Sequence, residues 1–165
     1  MRMEECTNCG EKARVIRGDY LWEDVDLPVT LKNVERVKCA KCGNTDVIIP
    51  QLGKVMRLIA VAVIRKPYRL TGAEVRYLRK HLGMTGAEFA ALLPVDKTTL
   101  SKWENNDDPV GEQSDRLIRV IAIGLGKGLK DEMEATIRAF PSIAPHVKKI
   151  GIHVDTKTMS YEHAA

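Results

Sequence analysis

The sequence predicts an α+β chain: a small N-terminal β ribbon pinned by cysteines, an all-α five-helix helix-turn-helix domain, and a C-terminal strand. Three observations predict it. All four cysteines lie before residue 43, in two Cys-x-x-Cys-Gly repeats. From residue 51 the apolar residues recur at helical spacing, in segments opened by Thr or Asp. Within them, Thr85 to Asn106 (TGAEFAALLPVDKTTLSKWENN) reads as two short helices joined by a tight turn.

The ribbon comes first. Cys6 and Cys9, then Cys39 and Cys42, bracket 29 residues (39 − 9 − 1). Gly10 and Gly43 follow the repeats and suit a turn whose N–H groups point at sulfur. Four thiolates around one Zn²⁺ per chain make a closed tetrahedral site without a vacancy for substrate. A redox dithiol and a rubredoxin-type iron centre are the competing readings; disulfides do not suit the cytosolic setting expected here. His81, His146, His153 and His163 lie far from the cysteines and read as packing or surface residues. Residues 13–16, 20–22, 29–31 and 34–37 are β-prone, with turn material at 26–28 and 32–33. So small a segment has little core, and the metal must supply folding free energy.

Gln51 to Ile64 reads as a helix, with Ile59–Ile64 as a possible strand, and Arg65–Arg69 as a basic linker stopped by Pro67. Thr71 with Glu74 opens the next helix in a capping box; Val75, Leu78 and Leu82 line its inner face, Arg76, Arg79 and Lys80 face out, and Gly83 ends it. Thr85 with Glu88 repeats the capping box, and Asp96 caps the following helix. Leu100 and Trp103 form that helix's inner face, leaving Lys97, Thr98, Thr99, Ser101 and Lys102 outward. Hydroxyls and long cations suit base edges and phosphates. Ser114 caps a helix from Asp115 to Gly124, with Leu117, Ile118, Ile121 and Ile123 inward. The last helix runs from Lys130 to Phe140, with Met133, Ile137 and Phe140 on one side. Residues 147–154 alternate as a strand, read as an edge that pairs with a second protomer, and the tail from Asp155 reads as loose. The expected division is 1–50 ribbon, 51–70 connecting helix and linker, 71–145 helix-turn-helix domain, and 146–165 strand and tail.

Charge sharpens the reading. Residues 51–103 hold 10 Lys/Arg against 3 Asp/Glu, whereas the flanking thirds hold 8 against 9 and 8 against 10. A net excess of +7 on the segment ending in the second helix is the footprint of a nucleic-acid contact. Arg69, Arg76 and Arg79 are candidate phosphate contacts. The longest apolar run, Leu58 to Ile64, is too short to span a membrane, and the acidic, polar start does not read as a signal peptide, so a soluble cytoplasmic protein is expected. No nucleophile–base set or phosphate loop points to an enzyme.

Thr85 to Asn106 resembles the helix-turn-helix of the Xre/Cro repressor family, whose recognition helix often ends in Trp-Glu-Asn, as in Trp103-Glu104-Asn105. It departs from that family at Gly86, where Gln usually touches a phosphate, and at Pro94, where a turn Gly is usual. With the Cys-x-x-Cys-Gly pair ahead of it, the chain over about residues 4–140 resembles the MqsA-type antitoxins with a YgiT-type zinc finger. The Val-Lys-Cys-x-x-Cys-Gly return and Leu-Thr-Gly-Ala-Glu-Val-Arg-Tyr-Leu-Arg-Lys carry that resemblance. It implies zinc on Cys6, Cys9, Cys39 and Cys42, base contacts near Thr98 and Lys102, a homodimer on double-stranded operator DNA, and a toxin bound by the ribbon. A zinc-ribbon regulator with no toxin is the alternative.

Overall fold

The structure, a computed structural model, describes residues 2–164. Strands β1 (Met3–Glu5), β2 (Lys12–Trp22), β3 (Val29–Lys38) and β4 (Thr45–Ile48) form the ribbon. Helices α1 (Leu52–Ile64), α2 (Gly72–His81), α3 (Gly86–Ala91), α4 (Lys97–Glu104), α5 (Glu112–Leu125) and α6 (Met133–Ala139) follow. Strand β5 (Tyr68–Arg69) precedes α2, and β6 (Ala144–Val147), β7 (Gly151–Asp155) and β8 (Ser160–Ala164) close the chain.

The four short β segments expected before residue 38 merge into two long strands. β2 and β3 pair antiparallel from Arg14↔Lys38 to Trp22↔Val29, with a register shift between Gly18 and Tyr20. One edge of β3 serves two partners. Residues 35–38 pair with β4 and residues 29–32 with β7, the latter in parallel. Asn33, at φ 59°, marks the changeover and donates to Asp155 Oδ2 at 2.7 Å.

The C-terminal expectation is corrected here. The strand does not wait at an edge for a second protomer, and the tail is not loose. β7 joins β3, and β8 pairs with β7 as a hairpin, completing one sheet with the ribbon. Ile152 and Val154 are buried beside Val29 and Leu31, their direct partners. Asp155 shapes the hairpin turn by accepting from the N–H groups of Lys157 and Thr158. Val154→Ala is expected to cost about 1.5–3 kcal/mol in urea unfolding, as loss of a fully buried aliphatic side chain does. An unchanged midpoint would show that the hairpin contributes no packing.

Helix α1 is the hub. Val55, Ile59, Ala60, Ala62, Val63 and Ile64 are all buried, and the helix packs on β7 and β8 and on α2. One continuous core runs from Trp22, Leu27, Val29 and Leu31 through α1 to α5. A separate, much smaller core of Cys6, Ala13, Val37 and Cys39 lies at the cysteine end of the sheet.

Both expected capping boxes are present, at Thr71/Glu74 and Thr85/Glu88, and Asp96 accepts from Thr99 N–H at 2.7 Å. Helix α5 starts earlier than expected: Gly111, not Ser114, is its N-cap, because Asp115 turns inward. Helix α6 is shorter than expected, lying between 3₁₀ turns at Lys130–Glu132 and Phe140–Ser142. Its Ile137, expected inward, is exposed.

Candidate metal centre and nucleic-acid interface

The cysteines sit on two matching knuckles, one between β1 and β2, the other between β3 and β4. In each, the glycine N–H donates to the carbonyl of the first cysteine: Gly10 to Cys6 at 2.9 Å and Gly43 to Cys39 at 3.1 Å. The first cysteine's N–H in turn donates to Glu11 or to Asn44 O. Gly10 and Gly43 have φ of +71° and +76°, a conformation L side chains rarely adopt. Thr7 and Asn44 both bond Asp46, which links the two knuckles.

The result brings four sulfurs within 4.8 Å of one another. Cys6 and Cys42 lie 3.5 Å apart, and Cys9 and Cys39 3.6 Å. A tetrahedral ion with metal–sulfur bonds of about 2.3 Å needs sulfurs about 3.8 Å apart, so this donor set fits a bound metal. The thiols are electrostatically unequal. Backbone N–H of Asn44, then the Asn8 side chain, lowers Cys42 to about 6. Backbone N–H of Glu11 acts the same way on Cys9, but burial and the other three sulfurs outweigh it and push that thiol up to about 12. The histidines lie elsewhere, as expected: His81 stacks on Tyr77, His146 packs at a tilt against Tyr68, His153 meets Glu162, and His163 bonds Ala62 O.

The second candidate site is the exposed face of α4. Lys97, Thr98, Ser101 and Lys102 are exposed, Thr99 is half-buried, and Leu100 and Trp103 are buried behind them. Asp96 fixes the start of α4, and the Thr99 N–H it accepts holds its carboxyl below the usual range. Glu88 is lowered in the same way by Thr85. The turn from Leu92 to Asp96 uses no positive φ, so Pro94 is accommodated without a turn glycine. At Gly86 the space where a Cβ would point is bounded by Lys97 Cε, 4.0 Å away. Lys97 therefore runs beside the start of α3, at the position where the Xre/Cro resemblance expects a phosphate-touching Gln.

Arg76 and Arg79, expected to face out, are both turned toward Glu104, Arg79 mostly buried and Arg76 partly exposed. Arg79 forms a fork on Glu104, Nε to Oε1 at 2.7 Å and Nη2 to Oε2 at 2.8 Å, and also donates to Met84 O. Arg76 donates to Glu104 O and Asn105 Oδ1. A carboxylate that is itself mostly buried demands such partners. Trp103-Glu104-Asn105 thus anchors α4 to α2. Gly72 completes it: its N–H donates to Asn106 Oδ1, and a Cβ there would lie 2.0 Å from Trp103 O. Arg69 lies in β5 without a carboxylate partner among the described residues.

Sequence reasoning missed a buried polar clamp. Arg119 pairs with Asp115 and donates to the carbonyls of Ile64, Lys66 and Tyr68, while Lys66 pairs with Glu74 at 2.5 Å. Its signal was present: Asp and Arg four apart on the inner face of an otherwise apolar helix. Among the described residues, no helix is long and apolar enough to cross a membrane.

Comparison with known proteins agrees with this geometry. The helix-turn-helix family model matches residues 75–129, from within α2 to just past α5. No curated protein and no solved structure matches the chain. Residues 75–129 are a helix-turn-helix domain of the Xre/Cro type, the fold of DNA-binding regulators.

Proposed function

We propose that the protein is a sequence-specific DNA-binding transcriptional repressor that binds its operator as a homodimer. The exposed Lys-Thr-Ser face of α4, held rigidly by Trp103 and Glu104, is the observation that carries this reading. Thr98 and Lys102, four residues apart, lie on one helix face and read bases; Lys97, Thr99 and Ser101 position the helix against phosphates. The chain does no catalysis of its own, and its cysteines serve one structural Zn²⁺.

Lys102 reaches Asp108 only loosely, at 3.8 Å with both side chains exposed, so the ion pair does not hold it from DNA. Lys102→Ala is expected to lose about 1–3 kcal/mol per half-site while the fold stays intact. The measurement is an in vitro selection of duplexes by the wild-type protein, followed by titration of both proteins on the selected site at fixed salt. Equal affinities would remove Lys102 from the interface. Failure of the wild type to enrich any sequence would end the repressor reading.

We further propose an antitoxin role, with residues 1–50 as the module that holds a toxin and 71–145 as the operator-binding module. The four-cysteine ribbon ahead of the helix-turn-helix supports it, through the resemblance to MqsA-type antitoxins. A small ribonuclease-like reading frame beside this gene, whose product co-purifies with the chain, is the expected finding. Its absence would leave a zinc-ribbon regulator with no toxin.

A further inference from the structure

A helix-turn-helix needs phosphate contacts to set its register on DNA. The sequence placed them on the basic excess of residues 51–103, yet part of that excess is used within the fold. Of its ten cations, Arg65, Lys66, Arg76 and Arg79 are held by carboxylates, and Lys80 and Lys102 meet theirs only loosely, at 3.8 Å with both side chains exposed. Among the described residues, Arg69 and Lys97 are the ones next to the helix-turn-helix that have no carboxylate partner. Lys97 serves the head of α3 and α4. The other end of α4 requires its own contact, and Arg69 has company there that its sequence neighbourhood does not reveal.

Strand β6 lies parallel to β5 and brings the C-terminal segment beside Arg69, which pairs with Val147. His146 packs against Tyr68 with ring centroids 5.2 Å apart and planes tilted by 59°, and Lys148 Nζ lies 5.0 Å from the centre of the same ring. Tyr68 thereby orders Lys148 without neutralising it. His146, Val147, Lys148 and Lys149 are exposed, and neither Lys148 nor Lys149 has a carboxylate partner among the described residues. The ledge is tied to the end of α4 through the chain. Arg69 is three residues before Gly72, which abuts Trp103 O, so its backbone lies within about 13 Å of the end of α4 at an extended chain's rise. The major groove is about 12 Å wide, so a helix seated in it is flanked by a phosphate row on each side.

We propose that this ledge is a phosphate clamp, in which Arg69, Lys148 and Lys149 grip the DNA backbone beside the groove read by α4. The proposal rests on α4 being a recognition helix. It gives the segment after α6 a task in DNA binding that the helix-turn-helix alone does not contain. The contacts are to backbone, so they add affinity equally on all sequences and leave base preference to α4.

The test compares wild type, Lys148→Ala/Lys149→Ala and a control pair of exposed, unpaired lysines elsewhere, Lys127→Ala/Lys130→Ala. Each is titrated with the selected duplex and with random duplex between 50 and 200 mM salt. Each lost phosphate contact lowers the slope of log K against log salt by about 0.9, so the ledge variant should lose about 1.8 per half-site and about 3.6 as a dimer. Over that fourfold salt range the dimer's affinity should then fall about 150-fold less than that of wild type. The ratio of selected to random affinity should be unchanged, as should the thermal midpoint. The control pair should match wild type. Equal slopes in all three proteins would overturn the clamp while leaving α4 as the reader. A change in the selected-to-random ratio would overturn it too, by making the lysines base readers. A wild type that does not prefer the selected duplex would instead defeat the recognition helix, and the clamp with it.

Discussion

Cys39→Ser is expected to release the metal and unfold the cysteine end of the sheet while the helices remain folded. Cys39 is buried in the small core that holds only Cys6, Ala13 and Val37, with Val15 and Ile48 packed against it. Burial of so few aliphatic groups contributes about 5 kcal/mol at most, at roughly 0.8 kcal/mol per methylene. Structural zinc in small domains contributes about 10–16 kcal/mol of apparent free energy. The metal therefore dominates this end, and three thiolates leave it incompletely held. β1, β4 and the adjoining ends of β2 and β3 should open. The other half of β3 is secured independently, because Val29, Leu31 and Val34 are fully buried in the large core with α1. Metal analysis should give one zinc per wild-type chain and none in the variant. Hydrogen exchange should show protection lost over residues 3–15 and 37–48 and kept at Leu31 and through α1. A variant that keeps zinc, or a metal-free wild type protected at residues 3–15, would refute the assignment. A red, iron-loaded protein would replace zinc with iron.

The parts legible in the sequence are those whose physics is local. Both capping boxes, the Asp96 cap and the cysteine knuckles each depend on residues within a few positions of one another, and each appears as read. The inner faces of α2 and α4 follow from spacing alone. What eluded the sequence is non-local. β8 is Ser-Tyr-Glu-His-Ala, polar enough to pass for a tail. It becomes a strand because β7 has already been seated by β3, more than 110 residues earlier, through pairs such as Val29↔Ile152. Arg76 and Arg79 read as outward because cations on an amphipathic helix usually are. Their true partner, Glu104, is 25 residues beyond Arg79 and is brought to it only by the turn between α3 and α4. Ser114 looked like a cap on composition, but Asp115 beside it is claimed by Leu70 N–H and Arg119, which fixes the helix one turn earlier. The exposed polar face of α4 was therefore legible in the sequence, and its electrostatic surroundings were not.

Arg119→Ala should destabilise the protein by about 3–5 kcal/mol, the usual cost of breaking a buried ion pair by removing one partner. Arg119 is 1% exposed and Asp115 2%. The guanidinium does more than neutralise Asp115, from which it lies 2.9 Å. It donates to Ile64 O at 2.6 Å, Lys66 O at 2.9 Å and Tyr68 O at 2.7 Å, while Asp115 Oδ1 accepts from Leu70 N–H at 2.7 Å. These bonds tie the end of α1 and the whole linker to α5. Alanine would leave a carboxylate without its cation and three carbonyls without donors in the core. Lysine should rescue little, because one ammonium on a flexible stem cannot reproduce a planar fork with several fixed donors. Adding Asp115→Asn to Arg119→Ala should recover part of the loss, since Asn still accepts from Leu70 N–H but carries no charge to strand. Burial, the largest influence, already depresses Lys66 next door. Arg119 depresses it further against the pull of Glu74, so its removal should raise Lys66. Urea unfolding of wild type and the three variants measures these losses, and the Asp115→Asn single variant closes the cycle. Loss of the clamp should also loosen the linker that carries Arg69, so hydrogen exchange at Tyr68 and Leu70 should rise more than at Leu100 in α4. A loss below about 1 kcal/mol for Arg119→Ala would place it among surface pairs and contradict the buried clamp.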